Sequence, residues 1–170
     1  MDKQGITLIE LVVVIAIMSI ISLLAAPQIT SFKHNITSSQ AARQIVSDMQ
    51  LARSRAIFEN MDFMLSFHDP STNKYKIMNS PAGAASWTEV MVQSLPDGME
   101  FGAAGLSEGP GGVGDTVVSD GVTFAGIAGN NKLFFRNTGT ASDTGTVYLI
   151  PTRDKGNRTD RIKAVTLQYK

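Results

Sequence analysis

The sequence predicts an α+β fold in which a long N-terminal helix, part membrane-type and part amphipathic, packs on an antiparallel β-sheet. Three observations carry this. Leu11 to Ala26 is a run without charge; apolar residues then recur at Ala41, Ile45, Met49, Ala52 and Ala56; and from Phe63 the period drops to two. Steps of four, four, three and four put those five residues on one face of an α-helix, whereas a period of two belongs to a strand. Helix first and strands afterwards is the element order of an α+β module.

The elements follow in order. Residues 1–5 (Met-Asp-Lys-Gln-Gly) are short and polar and read as a leader. A helix over 6–29 spans about 36 Å at ~1.5 Å per residue, enough for a bilayer, although the run after Glu10 alone gives about 24 Å. Pro27 fits inside such a helix at the cost of one backbone bond and a bend. The helix continues over 30–60 as the amphipathic half. Its apolar stripe reads as core, and Arg43, Gln44, Asp48, Gln50, Arg53 and Arg55 lie between the stripe positions.

Residues 61–170 read as a β-rich head. Phe63, Leu65 and Phe67 alternate with Met64 and Ser66, and Asp69 to Asn73 is a turn signal before a returning strand at Lys74–Met78. Thr88–Ser94 is a further strand, closed by Pro96-Asp97-Gly98. Glycines crowd the segment 98–129, and Gly109-Pro110-Gly111-Gly112 reads as loop. Three late strands are expected at Lys132–Arg136, Thr146–Ile150 and Arg161–Tyr169.

Composition narrows the chemistry. Lys plus Arg and Asp plus Glu stand at 15 each, so bulk attraction to nucleic acid or acidic lipid is not written into the total. The absence of cysteine excludes disulfides, thiolate metal sites and a cysteine nucleophile. His34 and His68 are far apart, and Asp143, Asp154 and Asp160 follow no calcium-loop spacing, so no metal and no cofactor is expected. The stretch Gly109 to Thr116 lacks the Lys-Ser/Thr of a phosphate loop. No nucleophile and base stand in a motif, so no enzyme is read. Arg153, Lys155, Arg158, Arg161 and Lys163 form a local basic stretch, offset by Asp154 and Asp160. It is a candidate for holding a few phosphates, and such runs are more often solvated loops.

The informative residue is Glu10. A carboxylate among Leu, Ile and Val costs several kcal/mol unless paired, and ionisable groups placed this way tend to be functional. A secretory signal peptide would account for Lys3 and the apolar run, but Leu24-Ala25-Ala26-Pro27 is a poor cleavage site. A plain membrane anchor would leave Glu10 without a reason. Cleavage after Gly5 gives it one, because the new α-amino group of Ile6 lies one helical turn away. That amine can pair with its own Glu10 or with a neighbour's, and the second pairing would set the register of a helical array.

Gly5-Ile6-Thr7-Leu8-Ile9-Glu10-Leu11 followed by the apolar run resembles the class III signal of type IV pilins and pseudopilins. The resemblance implies cleavage after Gly5 by a prepilin peptidase, N-methylation of Ile6, subunit docking through Glu10 and a helix kink at Pro27. Ile6 stands where the family commonly has Phe. The segment Gln50-Leu51-Ala52-Arg53-Ser54-Arg55-Ala56-Ile57, then Asn60 and a strand, is similar to the GspH/FimT group of minor pilins and pseudopilins. This likeness implies a single-pass protein of the bacterial inner membrane with its head in the periplasm. It also implies a role in initiating or assembling a type II secretion pseudopilus or a type IV pilus, and so in protein secretion. The partners it implies are other pilin or pseudopilin subunits, the prepilin peptidase and the inner-membrane assembly platform. One alternative is a minor pilin that captures DNA through Arg153 to Lys163. However, the DNA-binding members end in a sequence like Gly-Arg-x-Arg, and this chain ends Leu167-Gln168-Tyr169-Lys170. A major structural pilin is the other alternative.

Overall fold

The computed structural model describes residues 7–69, 71–103, 120–124, 131–154 and 162–168, with only the backbone for 24–35. Two compact units divide at Ile36 and Thr37, inside the first helix.

Helix α1 spans Leu8–Glu59. It ends where Asn60 takes a left-handed φ of 53°, the conformation that closes a helix and that Asn tolerates better than most side chains. Asn137 Nδ2 donates to the Asn60 side-chain oxygen at 2.9 Å and fixes that end.

In the second unit, Ala41, Ile45, Met49, Ala52 and Ala56 are buried, as their spacing requires. They share one core with residues of two sheets. The first sheet has the order β3-β2-β1-β5, from β1 (Met61–Phe67), β2 (Lys74–Pro81), β3 (Thr88–Ser94) and β5 (Lys132–Phe135). The second has the order β4-β6-β7, from β4 (Met99–Phe101), β6 (Gly145–Pro151) and β7 (Lys163–Leu167). All pairings are antiparallel.

The α+β class therefore stands, with two sheets in place of the one sheet expected. The added strand is β4, inside the glycine-rich segment, where Met99, Glu100 and Phe101 are all buried against β6. Aromatic rings join the two sheets: Phe67 of β1 meets Tyr75 of β2 at 6.0 Å, Phe101 of β4 at 5.6 Å and Phe124 at 5.9 Å between ring centres. Gly109 to Gly112 lie outside the described residues.

Alternation along β1 predicts one solvent face, yet Met64 and Ser66 are buried together with Phe63, Leu65 and Phe67. β1 is a central strand. Met64 stands opposite Met78 on one side and Phe134 on the other, and Trp87 packs on Phe134 with ring centres 6.1 Å apart.

One polar contact ties the helix to the first sheet. The Tyr75 hydroxyl donates to Asp48 Oδ2. Gln44 Nε2 reaches the same hydroxyl at 3.2 Å and the carbonyl of Ser94 at 3.0 Å. Asp48 is only 8% exposed, although its place between stripe positions reads as part of the polar side. Burial first, and then the bond to Asp48, push the Tyr75 hydroxyl well above its ordinary range. The phenol favours its neutral form more strongly in the fold than in the unfolded chain. Its stabilising contribution is therefore whole below its ordinary pKa of ~10 and is lost as pH rises beyond it.

Removing the hydroxyl in Tyr75→Phe leaves the buried Asp48 short of a donor and should cost about 1–3 kcal/mol. Chemical unfolding of the full chain in detergent micelles, followed by circular dichroism, checks this. A midpoint equal to wild type would mean that the contact contributes nothing. Gly121 has φ +77°, and a Cβ there would come within 2.4 Å of the Gly102 backbone nitrogen. Gly121→Ala should therefore lower stability by about 2 kcal/mol or more in the same assay.

Candidate functional site

Thr7 precedes the first helical residue, Leu8. Its carbonyl accepts a bond from the Leu11 amide at 3.2 Å, and its Oγ1 accepts one from the Glu10 amide at 3.4 Å. Thr7-Leu8-Ile9-Glu10 thus has the spacing of a capping box, with Thr as N-cap and Glu three residues on. The Thr-x-x-Glu signature before an apolar run is a local mark of this helix start that periodicity and charge did not single out. The position also suits a carboxylate, because the first turn is the positive end of the helix dipole.

Glu10 is exposed, and among the described residues no ion pair reaches it. Gly5 and Ile6, the expected processing pair, lie outside the described residues. Pro27 lies within α1.

Every described side chain from Thr7 to Leu23 is exposed, on all sides of the helix. Leu8 at 80% and Leu23 at 77% are the extremes of an apolar series that includes Val13, Ile17 and Ile20. A helix that is apolar all round is stable only when something apolar covers it. The hydroxyls of Ser19 and Ser22 do not break this surface. Ser19 Oγ donates to the Ile15 carbonyl and Ser22 Oγ to the Met18 carbonyl, each at 2.8 Å, so both are satisfied within the helix. Among the described residues no helix is long and apolar enough to cross a membrane. The stretch 8–23, whose side chains are described, is about 24 Å long at ~1.5 Å per residue.

The basic stretch is placed in part. Arg153 lies in the 3-10 turn Thr152–Asp154 and approaches Asp154 at 3.6 Å, where the carboxylate is buried. Lys163 opens β7 and is exposed. Lys155, Arg158 and Arg161 lie outside the described residues. No group of three His, Asp or Glu side chains comes together as metal ligands among the described residues.

The end of α1 carries a feature that periodicity did not single out. Phe58 is 91% exposed, and Ile57 and Leu51 are also exposed. Ile57 packs so closely on the β5–β6 loop that a Cβ on Gly139 would come within 2.6 Å of its Cδ1.

Comparison with known proteins agrees with this arrangement. Residues 41–167 match the family model of type II transport protein GspH, and residues 1–26 match the prokaryotic N-terminal methylation motif. No curated relative matches the chain at a significant level. Two solved structures of the minor pseudopilin EpsH from the type II secretion system of Vibrio cholerae are similar in fold. One is 18% identical, covers 79% of this chain and 91% of that chain, and has a TM-score of 0.50. The other is 19% identical, covers 78% and 90%, and has a TM-score of 0.48. Since the GspH model spans both sheets and the helix stripe beneath them, and the methylation motif spans the capped apolar segment, the chain belongs to the GspH family of type II transport proteins, the structural and non-catalytic pseudopilins.

Proposed function

We propose that this chain is a minor subunit of a type II secretion pseudopilus, held in the inner membrane by the first part of α1 with its head in the periplasm. In this role it initiates or assembles the filament that drives protein secretion. The observation that carries the reading is the capped helix segment 7–23, apolar on every side and marked by one carboxylate, in the same chain as a head whose core is drawn from residues 41 onward. EpsH, which it resembles in fold, is a minor pseudopilin of such a system.

Cleavage after Gly5 would free the Ile6 amine one turn from Glu10. In an apolar bundle, an amine from one subunit facing the carboxylate of the next removes two unpaired charges at once, and only one axial offset allows it. Pro27 would supply the bend that lets packed helices adjust. The partners in this reading are other pseudopilin subunits, the prepilin peptidase and the inner-membrane assembly platform. The alternative of DNA capture has less behind it, because Arg153 is turned to Asp154.

Intact mass and N-terminal sequencing, with and without a co-expressed prepilin peptidase, test the processing step. The expected product starts at N-methylated Ile6 and depends on the peptidase, whereas a start at Pro27 or later would make the chain an ordinary secreted domain.

A capping contribution from the Glu10 side chain, which its spacing from Thr7 allows, can be separated from its charge. Glu10→Gln keeps a side chain that caps as well as Glu does but removes the charge, and Glu10→Ala removes both. Both variants should remain membrane-inserted and enter filaments poorly, by about tenfold or more in sheared-filament blots. Wild-type incorporation of Glu10→Gln would show that the cap, and not the charge, is what assembly uses.

A further inference from the structure

A groove runs between the second part of α1 and β7. Its wider end, about 510 Å³, lies between Met49, Gln50 and Arg53 of the helix, Val165 to Gln168, and the loop strip 138–141. Its other end, about 460 Å³, lies between Arg43, Val46 and Ser47 and residues 164–166. Val46, Gln50, Val165 and Thr166 line both ends, so the two are one channel.

Three properties of this channel define an occupant. First, β7 is the last strand of its sheet, and among the described residues nothing pairs with its outer edge. An open edge offers a row of backbone donors and acceptors to another strand. The opposite wall is strip-like too, since Ala141 bridges Phe135 at the edge of the first sheet. Second, the floor is apolar in the middle, with Val46, Met49 and Val165. Third, the described lining carries a cation toward each end, Arg43 and Arg53, and no acid. Both arginines are exposed, and neither is in an ion pair among the described residues.

The dimensions agree. Arg43 and Arg53 are about 15 Å apart along the helix at ~1.5 Å per residue. An extended strand covers about 13 Å in four residues, and residues i, i+2 and i+4 share a face. We infer that this channel takes an extended segment of a partner protein as an added strand on β7, with carboxylates at i and i+4 reaching Arg43 and Arg53 and an apolar residue at i+2 on the Val46–Met49 floor. A partner helix fits less well, since it would leave the β7 edge unpaired. This goes beyond the filament role and holds whichever machine the subunit serves.

The test uses the full chain in detergent micelles and the capped peptide acetyl-Thr-Glu-Thr-Val-Thr-Glu-Thr-amide. The expected result is that the amides of 164–168 shift and gain exchange protection as peptide is added. The double variant R43A/R53A should weaken binding about tenfold, as should high salt, because exposed pairs contribute modestly and are screened. R43E/R53E should reverse the preference toward the same peptide with Lys in place of Glu. Both arginines are on the surface, so these variants keep the core. Three outcomes overturn the inference: no change at 164–168 with millimolar peptide, equal binding of the Glu and Lys peptides to the unmodified chain, or protection of 164–168 that rises with protein concentration alone. The last would assign the edge to a second copy of this chain.

Discussion

The stripe of Ala41, Ile45, Met49, Ala52 and Ala56 is the surface on which both sheets close, and most of the head follows from it. Three of its five members are alanine, and Ile45 and Met49 supply the larger apolar side chains that the helix adds to the shared core. Such packing holds helix and sheets in place only if rotation about the helix axis is also fixed, and apolar contacts alone are not directional. Gln44 and Asp48 supply the direction. They flank Ile45 and Met49, and they bind Tyr75 and the end of β3 at points that a small rotation would break. A buried carboxylate without a cation is costly, so the contact has to be complete to be tolerated.

Much of this was legible. The stripe, the end of α1 near Asn60 and the strand positions followed from periods of 3.6 and two and from turn residues, and β3 spans the predicted Thr88–Ser94. The missed features share a cause, which is dependence on a distant partner. Asp48 looks like a solvent-facing helix residue until Tyr75, far along the chain, is brought against it. β4 has three residues, too few to show a period, and is a strand because β6 lies beside it. Met64 and Ser66 are buried because β1 is central, and strand order within a sheet is not encoded in the strand's own pattern. The capping box at Thr7 is different. It is local, written in the Thr-x-x-Glu spacing, and depends on no distant partner.

The chain thus combines two ways of satisfying apolar surface. The head hides its stripe by folding. The segment 8–23 hides nothing by itself, since every described side chain is exposed. In the proposed membrane state acyl chains cover it, and in the proposed filament neighbouring helices do. Both environments are about equally apolar, so moving between them changes the free energy of the aliphatic side chains little. The same is true of Ser19 and Ser22, which carry their hydrogen-bond partners with them.

The carboxylate of Glu10 is the group in this segment for which the two environments differ. At the capped first turn it gains from the helix dipole and the interface, where water still reaches it. Drawn into a bundle it loses that water, and its cost falls only if a cation arrives at the same depth. A segment otherwise indifferent to its surroundings is therefore made selective by one residue. The apolar side chains allow transfer at many axial offsets, and in the proposed assembly Glu10 would restrict it to the offset that brings an amine within reach. In the proposed filament, register would then come from what a mismatch leaves unpaired, a constraint that a surface with so little polar detail could not otherwise supply.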